Sequence, residues 1–225
     1  MSTPSSSPTE SHIEGIDVSH HQGVVPWDAV AAAGISFAFA KATEGASVVD
    51  GQFATNWNGM KQAGLVRAAY HFFHPRTPIE EQVENFVNVV GAINAGDLPP
   101  ILDVEEAKLH TGGGEWDAIA KPDRVPLVLS CLQEVEARSG SKPILYTRRG
   151  FVRDFLGNPG TLTDYLLWIA DYRAVSSPAL PTGWTTWTFW QYSQSGQVDG
   201  IAGPVDLDRF NGSRDELLTL VKGGT

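Results

Sequence analysis

Five times in succession a short apolar run is followed by a longer amphipathic one, and proline or glycine marks most of the changes. Ile13–Val18 reads as a strand, and Trp27–Ala33 as a short helix opened by Pro26 and closed by Gly34. Ile35–Ala40 and Gln52–Ala63 repeat the pair, then Leu65–Phe73 and Ile79–Ala95, then Ile101–Glu105 and Pro122–Arg138. A fifth strand, Pro143–Thr147, precedes a short helical segment around Gly150–Leu156. After that Leu166–Ala170, Thr186–Tyr192 and Val205–Phe210 read as strands with little room for helices between them. Parallel neighbours need a crossover, and a helix is the usual one, so the alternation predicts a parallel sheet. Five βα units and three further strands predict one incomplete TIM-like α/β barrel of eight strands.

Length agrees with that reading, since 225 residues suit a single α/β barrel and no linker divides the chain. Residues 12–221 are assigned to that one domain. Residues 1–11 lack both the basic start and the apolar stretch of a signal peptide and are expected to be a disordered tail. The net charge of −10, with no run of Lys or Arg, argues against nucleic acid as a partner. No stretch approaches the ~20 apolar residues of a membrane span. Cys131 is the only cysteine and falls in an apolar helical pattern, which predicts inert burial.

Chemistry concentrates at the strand ends. In Ile101-Leu-Asp-Val-Glu-Glu106, strand alternation points Asp103 and Glu105 the same way, with Cα atoms roughly 6.5–7 Å apart. Two such carboxyl groups can share one glycosidic bond, although the pair taken alone is equally compatible with a solvated strand end. Asp17, Glu44, His71, Tyr146, Asp171, Gln191 and Asp206 also fall at or just past the C-terminal ends of predicted strands. That face carries the chemistry in βα barrels, so an acidic cleft is expected there.

Eight blocks in order resemble those of the glycoside hydrolase family 25 lysozymes. They are Gly15-Ile-Asp-Val-Ser-His-His-Gln-Gly23, Ala40-Lys-Ala-Thr-Glu-Gly45, Ala69-Tyr-His-Phe72, Leu102-Asp-Val-Glu105, Leu145-Tyr-Thr147, Leu167-Trp-Ile-Ala-Asp-Tyr172, Trp190-Gln-Tyr192 and Val205-Asp-Leu-Asp-Arg-Phe210. The resemblance spans about residues 13–212. It implies a flattened (β/α)5β3 barrel and hydrolysis of the β-1,4 bond between N-acetylmuramic acid and N-acetylglucosamine in bacterial peptidoglycan. It also implies no metal or organic cofactor, a monomer, and action outside the cell. An anionic wall would not be drawn in by charge, so a shaped cleft must hold it.

By matching position, Glu105 is the expected general acid, and Asp103 the nucleophile or the orienter of the substrate's own 2-acetamido group. Asp17 and Asp206 match the family's other cleft acids; Asp208, two residues on, is the lesser choice. Tyr70, Tyr146, Trp168, Tyr172 and Trp190 are the expected sugar-facing rings, each alone equally compatible with core packing. Lys41 and Glu44 are expected to pair as a brace. His20 and His21, adjacent at a strand end, are expected to point apart and to bind no metal. Gly112-Gly-Gly114 lacks the Lys-Ser/Thr of a phosphate loop and is expected to be a flexible loop by the cleft.

Two other readings stand beside this one. A chitinase-like barrel would carry Asp-x-Asp-x-Glu, but Ile101 occupies the first slot. A non-catalytic glycan-binding barrel would have lost its proton donor, whereas Glu105 is present.

Overall fold

A computed structural model of the chain describes residues 12–107 and 114–223. The expected tail 1–11, and Gly112 and Gly113 of the glycine loop, lie outside the described residues. Eight strands close into a barrel: β1 (Ile13–Val18), β2 (Phe37–Glu44), β4 (Val66–Phe72), β5 (Ile101–Asp103), β6 (Ile144–Arg148), β7 (Leu166–Ala170), β8 (Phe189–Gly196) and β9 (Val205–Phe210). The strands from β1 to β8 run parallel around the barrel, and β9 pairs antiparallel with both β8 and β1 to close it. The two-residue β3 (Val48–Val49) folds back on the end of β2, an addition to the expected strands.

The helical layer is what remains incomplete. Helices α1 (Trp27–Ala32), α2 (Phe53–Gln62), α3 (Ile79–Val90) and α4 (Lys121–Ser139) follow the first four barrel strands. The fifth is followed by short pieces alone: α5 (Arg149–Phe151), a π turn, Val152–Leu156, and a 3-10 turn, Gly160–Asp164. No helix of the described residues separates β7, β8 and β9, and α6 (Arg214–Thr219) comes after the last strand. Helix α3 stops at Val90 rather than Ala95, because Gly91 takes φ +70°, a left-handed conformation that ends an α-helix. Likewise β5 ends at Asp103, not Glu105, since its ladder to β4 and β6 runs out at the pairs with Phe72 and Tyr146.

Both faces of the barrel wall are buried, and alternation sorts the residues between two cores. Ile16, Ala38, Leu102, Val104, Leu145, Leu167, Ile169 and Trp190 face out and pack beneath the helices. Phe37, Phe39, Ala68, Ile101, Tyr146, Trp168, Phe189 and Phe210 face in. The inward rings fill the barrel: Phe37 lies 5.2 Å from Phe189, Phe39 lies 4.6 Å from Trp168, and Trp168 lies 4.3 Å from Tyr146, centroid to centroid. Gly15 is required on β1 because a Cβ there would sit 2.3 Å from the Phe37 ring. Above this apolar plug, polar side chains gather at the C-terminal ends of the parallel strands and the N-terminal end of β9, with Asp208 buried one layer down.

Cys131 is fully buried on α4, and burial pushes its thiol up to about 12, so it is inert as expected. No helix among the described residues is long and apolar enough to cross a membrane.

Candidate active site

The top of the barrel opens into a depression of about 360 Å³. Asp17 from β1, Tyr70 from β4, Asp103 and Glu105 from the end of β5, Tyr146 from β6, Trp168 from β7, Tyr172 just past it and Asp206 from β9 all line it. Eight of the nine residues singled out from the sequence therefore meet in one place. The ninth does not. Trp190 lies on the outward face of β8, buried against Trp187, and its Nε1 donates to the backbone carbonyl of Asp171 at 2.8 Å. Strand alternation turns its neighbour Gln191 inward instead.

Gln191 organises the floor. Its Nε2 donates to Asp17 Oδ2 at 2.6 Å, and its Oε1 accepts from the hydroxyls of Tyr146 at 2.8 Å and Tyr172 at 2.6 Å. Asp208 lies one layer deeper than Asp206, fully buried, and accepts from Trp168 Nε1 at 2.8 Å. The choice of Asp206 as the cleft residue thus agrees with the geometry. Of the pocket rings only Tyr172 is well exposed, at 41 %; Tyr70, Tyr146 and Trp168 are buried and offer edges and hydroxyls rather than open faces.

Burial and crowding hold the acids toward their protonated forms. Asp17 is raised well above an ordinary carboxylate by desolvation first, then by the charges of Asp208 and Asp206. Asp206 is raised to about 6 by desolvation. Asp103 is raised by desolvation and by Glu105 beside it. Glu105 is raised by desolvation, against the opposing charges of Arg148 and Lys41. Arg148 Nε stands 3.7 Å from Glu105 Oε2, and Arg148 also pairs with Glu106. Asp103 Oδ1 is buried without a hydrogen-bond partner among the described residues. Two acids with raised pKa thus stand side by side in one pocket, an arrangement that suits acid catalysis at a bond between sugars.

Lys41 Nζ donates to Glu44 Oε2 at 2.6 Å, the expected brace. The pair extends further than its local sequence indicates. His74 Nε2 meets Glu44 Oε1 at 2.9 Å and its Nδ1 meets Glu115 Oε1 at 2.8 Å. Its bond to Glu44 leads in raising the His74 pKa, and the same bond holds Glu44 down near about 2. His74 therefore ties the ends of β2 and β4 to the turn before α4. His71, expected on the rim, faces outward instead; it bonds Thr43 Oγ1 at 2.7 Å, and burial lowers it to about 4. His20 and His21 do not point apart, because residues His20–Gln22 form a 3-10 turn rather than a strand end. Their rings lie 4.0 Å apart, and His20 Nδ1 bonds the buried Asp50 at 2.7 Å. Sequence reasoning placed Gln191 on the rim but not in the site, and missed Arg148 and His74. Their neighbours in the chain carry no signal, because their partners come from other strands.

The profile of glycosyl hydrolases family 25 matches residues 16–201, most of the barrel. The chain belongs to glycoside hydrolase family 25. Among family 25 relatives, Lysozyme M1 of Streptomyces globisporus is 35% identical over 93% of this chain and 71% of its own. The protein YegX of Escherichia coli strain CFT073 is 39% identical over 96% of this chain and 76% of its own. The bacterial lysozyme of Streptomyces coelicolor superimposes with a TM-score of 0.88 at 34% identity, over 96% of this chain and 99% of that one. Family membership and the acid-lined barrel mouth together make the chain a glycoside hydrolase.

Proposed function

We propose that this family 25 protein is a muramidase: it cleaves the β-1,4 bond between N-acetylmuramic acid and N-acetylglucosamine in bacterial peptidoglycan, with retention at the anomeric carbon. The observation that carries the reading is Asp103 and Glu105, two residues apart at one strand end, both raised in pKa and both opening into the same pocket. Glu105 gives its proton to the glycosidic oxygen as the bond from C1 to that oxygen breaks. The carbonyl oxygen of the substrate's 2-acetamido group bonds to C1 from the opposite face, while Asp103, which opens into the same pocket, accepts the acetamide N–H. Glu105, now a carboxylate, takes a proton from water as that water adds to C1 and the acetamide is released. The proton is restored and the configuration kept.

Asp17 and Asp206 support the developing positive charge from the facing strands, and Tyr172 offers the exposed ring for a sugar face. Tyr70, Tyr146 and Trp168 shape the floor. The protein acts outside the cell as a monomer and without a cofactor. The test is Glu105→Gln in a turbidity assay on bacterial walls. Clearing falls by ~10²–10⁴ while the near-UV circular dichroism is unchanged. Retention of more than about a tenth of the wild-type rate removes Glu105 as the donor. A wild type that binds walls without clearing them would make the barrel a lectin.

A further inference from the structure

Beside the acid-lined pocket, and sharing Arg148 and Tyr172 with it, lies a second depression of about 380 Å³. Its lining sets four arginines against three acids, Glu106, Asp154 and Asp171. Arg148 at the end of β6, Arg149 and Arg153 on α5 and its π turn, and Arg173 beyond β7 converge there. Four of the 16 Lys and Arg residues of a chain with net charge −10 thus meet in one place. The acids among them do not saturate them. Arg173 gives Nε and Nη2 to Asp171, and Arg153 gives the same two donors to Asp154. A guanidinium carries five N–H donors, so the Nη1 edge of each stays without a protein acceptor among the described residues. Arg149 is exposed, and its side chain makes no ion pair or hydrogen bond among the described residues. Grouped arginines repel one another, and unused planar forks fit carboxylates.

We infer that this depression is a specificity subsite that receives the carboxylates of the peptide stem borne by the substrate's muramoyl residue. The inference rests on the muramidase reading and names what that site selects. The four acids Asp17, Asp103, Glu105 and Asp206 give an anionic branch of the glycan laid over them no cation to pair with. The arginine pocket takes the branch on the side where Arg148 and Tyr172 form a common wall. A phosphate on another wall polymer offers similar acceptors, but the stem is covalently joined to the bound sugar and so arrives at high effective concentration.

The experiment compares wild type, Arg149→Ala and the double variant Arg149→Ala/Arg173→Ala on matched glycans with and without stems. Release of reducing ends is followed to give kcat and KM. The ratio of kcat/KM on stem-bearing to bare glycan falls about fivefold in the single variant and about tenfold in the double, through KM. The loss shrinks in about 0.5 M NaCl and vanishes when the stem carboxylates are amidated. An unchanged ratio in both variants overturns the subsite, as does an equal fall on amidated stems. A loss seen only on walls that retain phosphate polymers overturns it in favour of phosphate. Failure of the wild type to cleave either glycan overturns the muramidase reading itself, and so is distinct from failure of the subsite alone.

Discussion

Gln191→Met keeps roughly the length of the side chain and removes all three hydrogen bonds that hold the pocket floor, so its cost can be worked bond by bond. Tyr146 is buried and loses the acceptor of its hydroxyl, about 1–3 kcal/mol for an unsatisfied buried group. Asp17 loses its amide donor, but it is raised toward its protonated form and lies against Asp208, which can accept from it. That loss is smaller, about 1 kcal/mol. Tyr172 is 41 % exposed and exchanges Gln191 for water at little cost. The sum is about 2–4 kcal/mol, which for a domain of this size lowers Tm by about 4–16 °C. Urea unfolding measures the difference, with the slope m unchanged because the surface exposed on unfolding is the same. The kcat on walls falls by about tenfold or more, since Asp17 and Tyr172 are no longer held in place. A destabilisation under about 1 kcal/mol with wild-type kcat would refute the view that Gln191 organises the site.

The remaining expectations concern charge and stereochemistry. Arg148→Met removes the largest charge opposing the rise of Glu105, so the proposed acid keeps its proton to higher pH. The alkaline limb of kcat/KM then moves upward, and a downward or absent shift counts against Glu105 as the titrating group. Asp206 is raised to about 6 in the folded chain from an ordinary value of 3.8. The stability that its protonated form contributes is complete below that ordinary value and is lost as pH rises through about 6. Asp206→Asn therefore unfolds at higher urea than wild type near about pH 8 and at similar urea near about pH 4, while hydrolysis weakens; equal midpoints at both values would contradict the shift. Proton NMR of the first product shows the β anomer, and a first-formed α anomer would exclude both acetamide participation and direct attack by Asp103.

Much of this protein can be read along the chain because its information is local. Period-2 apolar runs alternate with helical ones, so the order of elements needs no partner, and β1, β7 and β9 span the residues that their patterns mark. Placing Asp103 and Glu105 at a strand end requires only that strand, and the barrel rule puts strand ends on one face. Asp17 follows by the same logic, but Asp206 does not: it stands at the N-terminal end of β9, not the C-terminal end expected of it, and reaches the same rim because that strand runs antiparallel. What the sequence could not decide is which face of each strand looks inward. In a soluble sheet with one wet side, hydrophobicity answers that question, but here both faces of the wall are buried. Phe189 enters the inner core and Trp190 the outer, and both are equally apolar. The choice that puts Gln191 rather than Trp190 in the pocket was settled by barrel closure. So was the depth that separates Asp206 from Asp208. Electrostatics lay further out of reach. The raised acids, the Glu44–His74–Glu115 tie and the arginine pocket arise between residues from different strands and loops, and both burial and Coulomb energy depend on distances that only the closed barrel sets. Sequence alone determined the order of the elements and the rim that bears the acids, since strand and helix periods are properties of a segment; the tertiary structure alone decided facing, depth and charge state, since those are properties of pairs.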